Sequence, residues 1–303
     1  MGSAMIHPVD TLSRYGTVYS KPMSTTTKQI APLQDLHAHG FAFLGENHYI
    51  RSGYRVHYST SDCIHSLFEL HNETWNVWTH VVGSLAFMTL LAMELVTGMG
   101  TLDGLYVERW PLCLYLGSVS VCFALSATYH LMYVQDAATA SVYLRLDYAG
   151  ILVLIFGGTV PMLHITFSCS PPLQTFYMGL ASAVSCAAFV ATFLPAFTTS
   201  PSLRIAVFGS TILSICALPV AHILVQAGPS SPQVAIIARH LVVCSAINTP
   251  GIFFYASRLP ERWHPGVFDV YGSSHQWWHV CLILAAVVGY WDLQEQYTAR
   301  LVW

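Results

Sequence analysis

The chain has 303 residues, of which 54% are hydrophobic and only 9% charged, with a formal net charge of −3 and a mean hydropathy of +0.52. A soluble domain carries charge on about a quarter of its residues, so too few charges are present to cover a soluble surface, and the missing basic excess excludes a nucleic-acid partner. An integral membrane protein is the class that remains, and polar residues kept inside apolar segments then become informative.

Residues 1–59 are polar, with runs such as Lys21-Pro22-Met23-Ser24-Thr25-Thr26-Thr27-Lys28, and read as a flexible cytosolic tail. No apolar run in them resembles a cleavable signal peptide. Glu46 to Arg55, which mixes aromatics with charge, is the most structured part of that tail. Over 60–75, Ile64, Leu67, Phe68, His71 and Trp75 recur at helical spacing, which predicts a short amphipathic helix lying at the bilayer surface. Residues 76–303 form the membrane domain, with seven apolar segments near 76–99, 111–134, 141–165, 173–194, 202–226, 234–257 and 274–296, each about long enough to span the hydrocarbon core. Gly and Pro punctuate the connections, and Asn248-Thr249-Pro250-Gly251 predicts a kink in the sixth segment. The eight cysteines stand singly with no C-x-x-C pair, so neither a disulfide framework nor a Cys-ligated metal is expected. The predicted fold is an all-α bundle of seven transmembrane helices.

Orientation follows from Lys and Arg. With the N-terminus in the cytosol, Arg14, Lys21, Lys28, Arg51, Arg55, Arg145, Arg204, Arg258 and Arg262 fall on the inner side, against Arg109, Arg239 and Arg300 outside: nine against three. The C-terminus is then outside. The sequon Asn72-Glu73-Thr74 faces the cytosol on this topology and is expected to carry no glycan.

Ionisable residues within the spans are the candidates for chemistry. Ser126 and His130 share one face of segment two, His275 and His279 share one face of segment seven, and Asp147 is the acidic residue well inside segment three. At about 1.5 Å per residue, His130, Asp147, His275 and His279 all lie roughly 3–10 Å from the inner helix ends. Taken singly, each has a plainer reading: a helix-packing histidine, a chance i,i+4 pair, an Asp147–Arg145 ion pair, a small packing serine. Their common depth is the argument for a site. Three imidazoles suit Zn2+ with a fourth position open to water; Asp147 is then the general base, and Ser126 a hydrogen-bonding neighbour. Glu73 and His80 lie near the same end but read as interface residues; Glu94, His164, His222 and His240 read as structural.

Ser126-x-x-x-His130, Leu146-Asp147-Tyr148-Ala149-Gly150, Ser274-His275-Gln276-x-x-His279 and His71-Asn72-Glu73-Thr74-x-Asn76-Val77-Trp78-Thr79-His80 resemble the progestin and adipoQ receptor family, which includes adiponectin receptors, hemolysin III proteins and their fungal relatives. The likeness runs from Glu46 to the end of segment seven and is to a fungal-type member; the tail is shorter than in the animal adiponectin receptors, and its first 45 residues carry no match. The resemblance implies a cytosolic N-terminus, zinc held by His130, His275 and His279 near the inner face, Asp147 as the water-holding carboxylate and Ser126 beside it. It also implies a role in lipid metabolism, with membrane lipids such as ceramide, fatty acid or sterol as ligands, and leaves an extracellular ligand and a cytosolic partner open. Two functions fit: a zinc-dependent lipid amide hydrolase of ceramidase type, and a receptor or sensor in which zinc is structural. A pore ranks last, because segments four and five lack a polar stripe.

Overall fold

The computed structural model describes residues 27–97 and 109–300. The polar opening stretch is more ordered than its composition suggests. Strands β1 (Gln29–Ala31) and β2 (Tyr54–Val56) pair antiparallel with Gln29 opposite Val56 and Ala31 opposite Tyr54. Around them Leu36, Phe41, Leu44, Ile50, Tyr58 and Cys63 bury their side chains together with Tyr133 and Val134. Averaging over 59 residues hides these apolar positions among Ser, Thr and Lys; placed on strands and turns, they collect on one face. Residues 27–59, expected as a loose tail, therefore form a cap seated on the bundle; the stretch before residue 27 lies outside the described residues.

The amphipathic helix expected over 60–75 is shorter than that. Helix α1 (Thr60–His65) starts at a capping box in which the Ser59 and Asp62 side chains each bond the other's backbone N–H, and it ends in a tight turn at Ser66–Phe68. The chain is then held by side chain–backbone bonds, with Thr74 Oγ1 accepting from the His71 N–H at 2.8 Å and donating to the Glu69 carbonyl at 3.1 Å. These local bonds compete with the helical ladder and break it.

The long helices follow the apolar runs: α2 (Thr74–Thr97), α3 (Trp110–Met132), α4 (Ala137–Thr166), α5 (Pro171–Thr192), α6 (Pro201–Ala227), α7 (Pro232–Ser257) and α8 (Ser274–Arg300). Proline opens α5, α6 and α7 in the first turn, where its missing N–H costs nothing. Within α6, a π turn at Leu213–Ala217 sits just ahead of Pro219, which cannot donate to the ladder. In α7, Pro250 lies inside the helix, and Asn248 Nδ2 donates to the Cys244 carbonyl at 2.9 Å. Among the described residues, six helices (α2 to α7) are long and apolar enough to cross a membrane. α8 is long enough, but its last third carries Asp292, Gln294, Glu295 and Gln296.

The main core lies between α2, α3 and α8, with Phe87, Leu116, Phe123, Ala286, Tyr290 and Leu293 at its centre. Small residues let α3 and α4 approach closely: a side chain at Gly157 would collide with the Ser118 side chain, and one at Gly150 would press on the Cys122 backbone. α8 packs against α7 and α2. The ends of α3, α5 and α7 and the starts of α2, α4, α6 and α8 thus gather at the end covered by the cap.

Candidate metal centre

His130 comes from the last turn of α3; His275 and His279 come from the first two turns of α8. One nitrogen from each ring lies within 4.8 Å of the other two. His130 Nε2 and His275 Nε2 lie 3.2 Å apart. A tetrahedral ion with Zn–N bonds of about 2.0–2.1 Å would separate its ligand nitrogens by about 3.3 Å. The spacing fits.

Two of the rings present their other nitrogen to a fixed partner. His130 Nδ1 lies 2.8 Å from Glu73 Oε2, and His279 Nδ1 lies 3.2 Å from Thr79 Oγ1. A carboxylate accepts, so Glu73 holds the proton on Nδ1 and leaves the Nε2 lone pair pointing at the cluster. Glu73 is itself fixed by Asn76 Nδ2 (2.6 Å) and the Tyr133 hydroxyl (2.9 Å), and its backbone N–H donates to His71 Nδ1 at 3.1 Å. His71 Nε2 lies 3.2 Å from the Ser66 carbonyl. Burial, aided by the Arg55 charge, pushes the His71 imidazole down to about 3, so it stays neutral and can accept from Glu73.

The cap holds the two histidine-bearing helices. Arg55 is fully buried; its guanidinium donates to the His130 carbonyl (2.7 Å), the Leu131 carbonyl (3.1 Å) and the Ser66 hydroxyl (2.6 Å), closing the end of α3. At the start of α8, a carboxylate from the preceding loop takes up the first donors. Buried Glu261 accepts from the Ser274 N–H (2.7 Å) and from the Ser274 hydroxyl, and Asn47 Nδ2 reaches it at 3.0 Å. Asp269 joins the same loop to the cap through the Arg51 N–H (2.8 Å) and the Ser52 hydroxyl (2.6 Å). A negative group at a helix N-terminus also suits the dipole.

Asp147, on α4, is half-buried, and its carboxylate lies near enough to Ser126 and His130 to interact with both. Arg145 turns away, towards the Ser141 hydroxyl (3.4 Å) and the Phe193 carbonyl (3.5 Å). All five residues singled out from sequence thus occupy one end of the bundle. Two more stand with them that sequence reading assigned to the interface. Glu73 contacts His130 directly, and the His80 ring stacks on His279 with 3.6 Å between centroids and 2° between planes, backed by Phe123 at 4.7 Å. His80 is 2% exposed, and neither of its ring nitrogens has a protein partner. Their spacing was the available signal: 73, 76 and 80 fall on one side of a helix that starts at this end.

A family model described as "Haemolysin-III related" matches residues 68–290. The chain is 29% identical over 262 residues to progestin and adipoQ receptor-like protein 1 of Caenorhabditis elegans, the match covering 86% of this chain and 60% of that protein. It is 31% identical over 255 residues to heptahelical transmembrane protein 1 of Arabidopsis thaliana (82% and 76% covered) and 34% identical over 253 residues to progestin and adipoQ receptor family member 3 of Mus musculus (82% and 80% covered). The chain therefore spans about three-fifths of the nematode relative and about four-fifths of the mouse one.

Proposed function

This chain belongs to the haemolysin-III related family, as an integral multi-pass membrane protein. From that premise we propose that it is a receptor-like protein of lipid metabolism that binds zinc through His130, His275 and His279 and hydrolyses a lipid amide such as ceramide. In this reading α8 is the seventh span, the cap lies in the cytosol and the C-terminus lies outside. The observation that carries it is the convergence of three imidazole nitrogens within 4.8 Å, with two of the rings tied outward by Glu73 and Thr79.

Zinc bound there supplies Lewis acidity, polarising a carbonyl and acidifying water. The rest falls to the protein. Asp147, half-buried near Ser126, takes a proton from the attacking water and returns it to the departing amine, so that amide and water become fatty acid and sphingoid base. Tyr255, 51% exposed with its ring 5.4 Å from that of His275, marks an open side of the cluster for an acyl chain to enter. Glu73 keeps His130 in the ligating tautomer.

Purified, zinc-loaded protein is expected to turn over ceramide, with Asp147→Asn abolishing product while retaining metal. If no lipid product forms under conditions where a known ceramidase works, hydrolysis is wrong. The second reading, a receptor with structural metal, is favoured by the receptor names of the relatives; it predicts that His275→Ala lowers thermal stability with no lipid product at any point. Asn72 cannot report the orientation, because it is 8% exposed and its N–H is bonded to the Gly53 carbonyl. A glycosylation sequon added to each terminus can: the C-terminal one is expected to be modified, the N-terminal one not.

A further inference from the structure

At the end of the bundle away from the histidine cluster, α7 and α8 bring together a thiol, an imidazole and a carboxylate. His240 and Cys244 are four apart on α7 and share a face, with Cys244 Sγ 3.7 Å from His240 Nε2. The other nitrogen of that ring, Nδ1, lies 2.9 Å from Asp292 Oδ2 on α8. Asp292 is 4% exposed and anchored in turn: Gln296 Nε2 donates to Oδ2 at 2.7 Å, and Arg239 Nε lies 3.3 Å from Oδ1.

The direction of the relay follows from these contacts. Asp292 can only accept, so the ring proton of a neutral His240 sits on Nδ1, and the Nε2 lone pair faces the sulfur. A nucleophile next to a base, with the base oriented by an acid, is the arrangement that activates a thiol. Cys216, by contrast, has the Thr159 hydroxyl beside it, at 3.6 Å. One hydrogen bond beyond the relay, the Gln296 amide oxygen is buried with no protein partner, an acceptor for a donor on an incoming molecule.

We propose that Cys244 is an activated thiol that is covalently modified by apolar α,β-unsaturated carbonyl compounds, with His240 as its base and Asp292 as the group that orients the base. The choice of electrophile rests on access. Only 11% of the apolar window of α7 is buried, and Leu241 and Val242 beside the relay are exposed, so the helix faces lipid and the reagent must dissolve in it. A soft sulfur nucleophile adds at the β-carbon of such a compound. The thiol proton passes to His240 Nε2, the C–S bond forms as the C=C π bond opens, and His240 returns the proton to the α-carbon. Nothing leaves, and no oxidant or reductant is needed.

The test is the labelling rate of each cysteine of the full-length protein in lipid nanodiscs with N-ethylmaleimide and, separately, 2-nonenal, read by quantitative peptide mass spectrometry. Cys113, Cys216 and Cys281, of intermediate burial like Cys244, serve as comparators. Cys244 is expected to react at least ten-fold faster than any of them. His240→Gln should bring it down to their rate and Asp292→Asn part of the way, with metal content at the histidine cluster unchanged as the sign of an intact fold. A wild-type Cys244 rate within the comparators' range overturns the proposal even if neither variant folds, and so does an unchanged rate in a folded His240→Gln protein.

Discussion

The two ends of the bundle both bury polar groups between helices, and they satisfy them differently. Away from the cap, acids meet donors: Arg109 Nη1 meets Glu94 Oε2 at 2.7 Å, Arg239 and the His240 ring meet Asp292, and the Tyr290 hydroxyl reaches Glu94 Oε1 at 3.3 Å. At the capped end, one nitrogen from each of three imidazoles converges within 4.8 Å, and Glu73 and Thr79 hold the opposite sides of two of the rings. Pairs of opposite charge tie helices together. A convergent set of imidazole nitrogens could hold a cation.

The sharpest way to break this contrast is to remove ligands. His275→Ala/His279→Ala should take metal content, measured by elemental analysis of purified protein, from about one ion per chain to near zero; full retention would end the metal reading. Next in size is Asp147→Asn, for which turnover should fall by about 10²-fold or more with metal retained, since the carboxylate stands beside the rings rather than among them. Glu73→Gln tests the outward tie: metal affinity by competition with a chelator should weaken by about 10–100-fold. At the opposite end, Glu94→Gln should lower thermal stability by about 1–3 kcal/mol, because Arg109 loses its charge partner, and should leave metal content unchanged. A loss of metal there would mean that the two ends are not independent.

An effect of comparable size concerns pH. His71 is held at about 3 in the folded protein against an ordinary 6.5, so the unfolded chain binds its proton more readily. Its contribution is fully present above pH 6.5 and is lost as pH falls from there towards 3, amounting to about 2 kcal/mol at pH 5. Thermal melts of wild type should steepen their decline below pH 6.5, and His71→Gln, which cannot titrate, should show a shallower one.

Much of this was legible in the residues. Helix positions could be read because a span needs an uninterrupted apolar length, and α2 to α7 begin and end within a few residues of the hydropathy boundaries. The histidines and Asp147 stood out because charge and imidazole are costly in such segments. The cap was not legible: its strands are three residues long, and what folds them is contact with Tyr133 and Val134, 75 or more residues away. Nor was Glu261, which lies in a loop and whose role appears only when its carboxylate meets Ser274.

Composition and period thus determined by themselves that the chain enters a membrane as helices, and which residues sit at a common depth, because both depend only on distance along one helix axis. Rotation of each helix about its axis, and the docking of the cap, were decided by tertiary packing. Only that packing could place Glu73 behind His130, stack His80 on His279, and put Asp292 within reach of His240, because each pairing joins residues on different helices whose relative angle is fixed by the close contacts of the core.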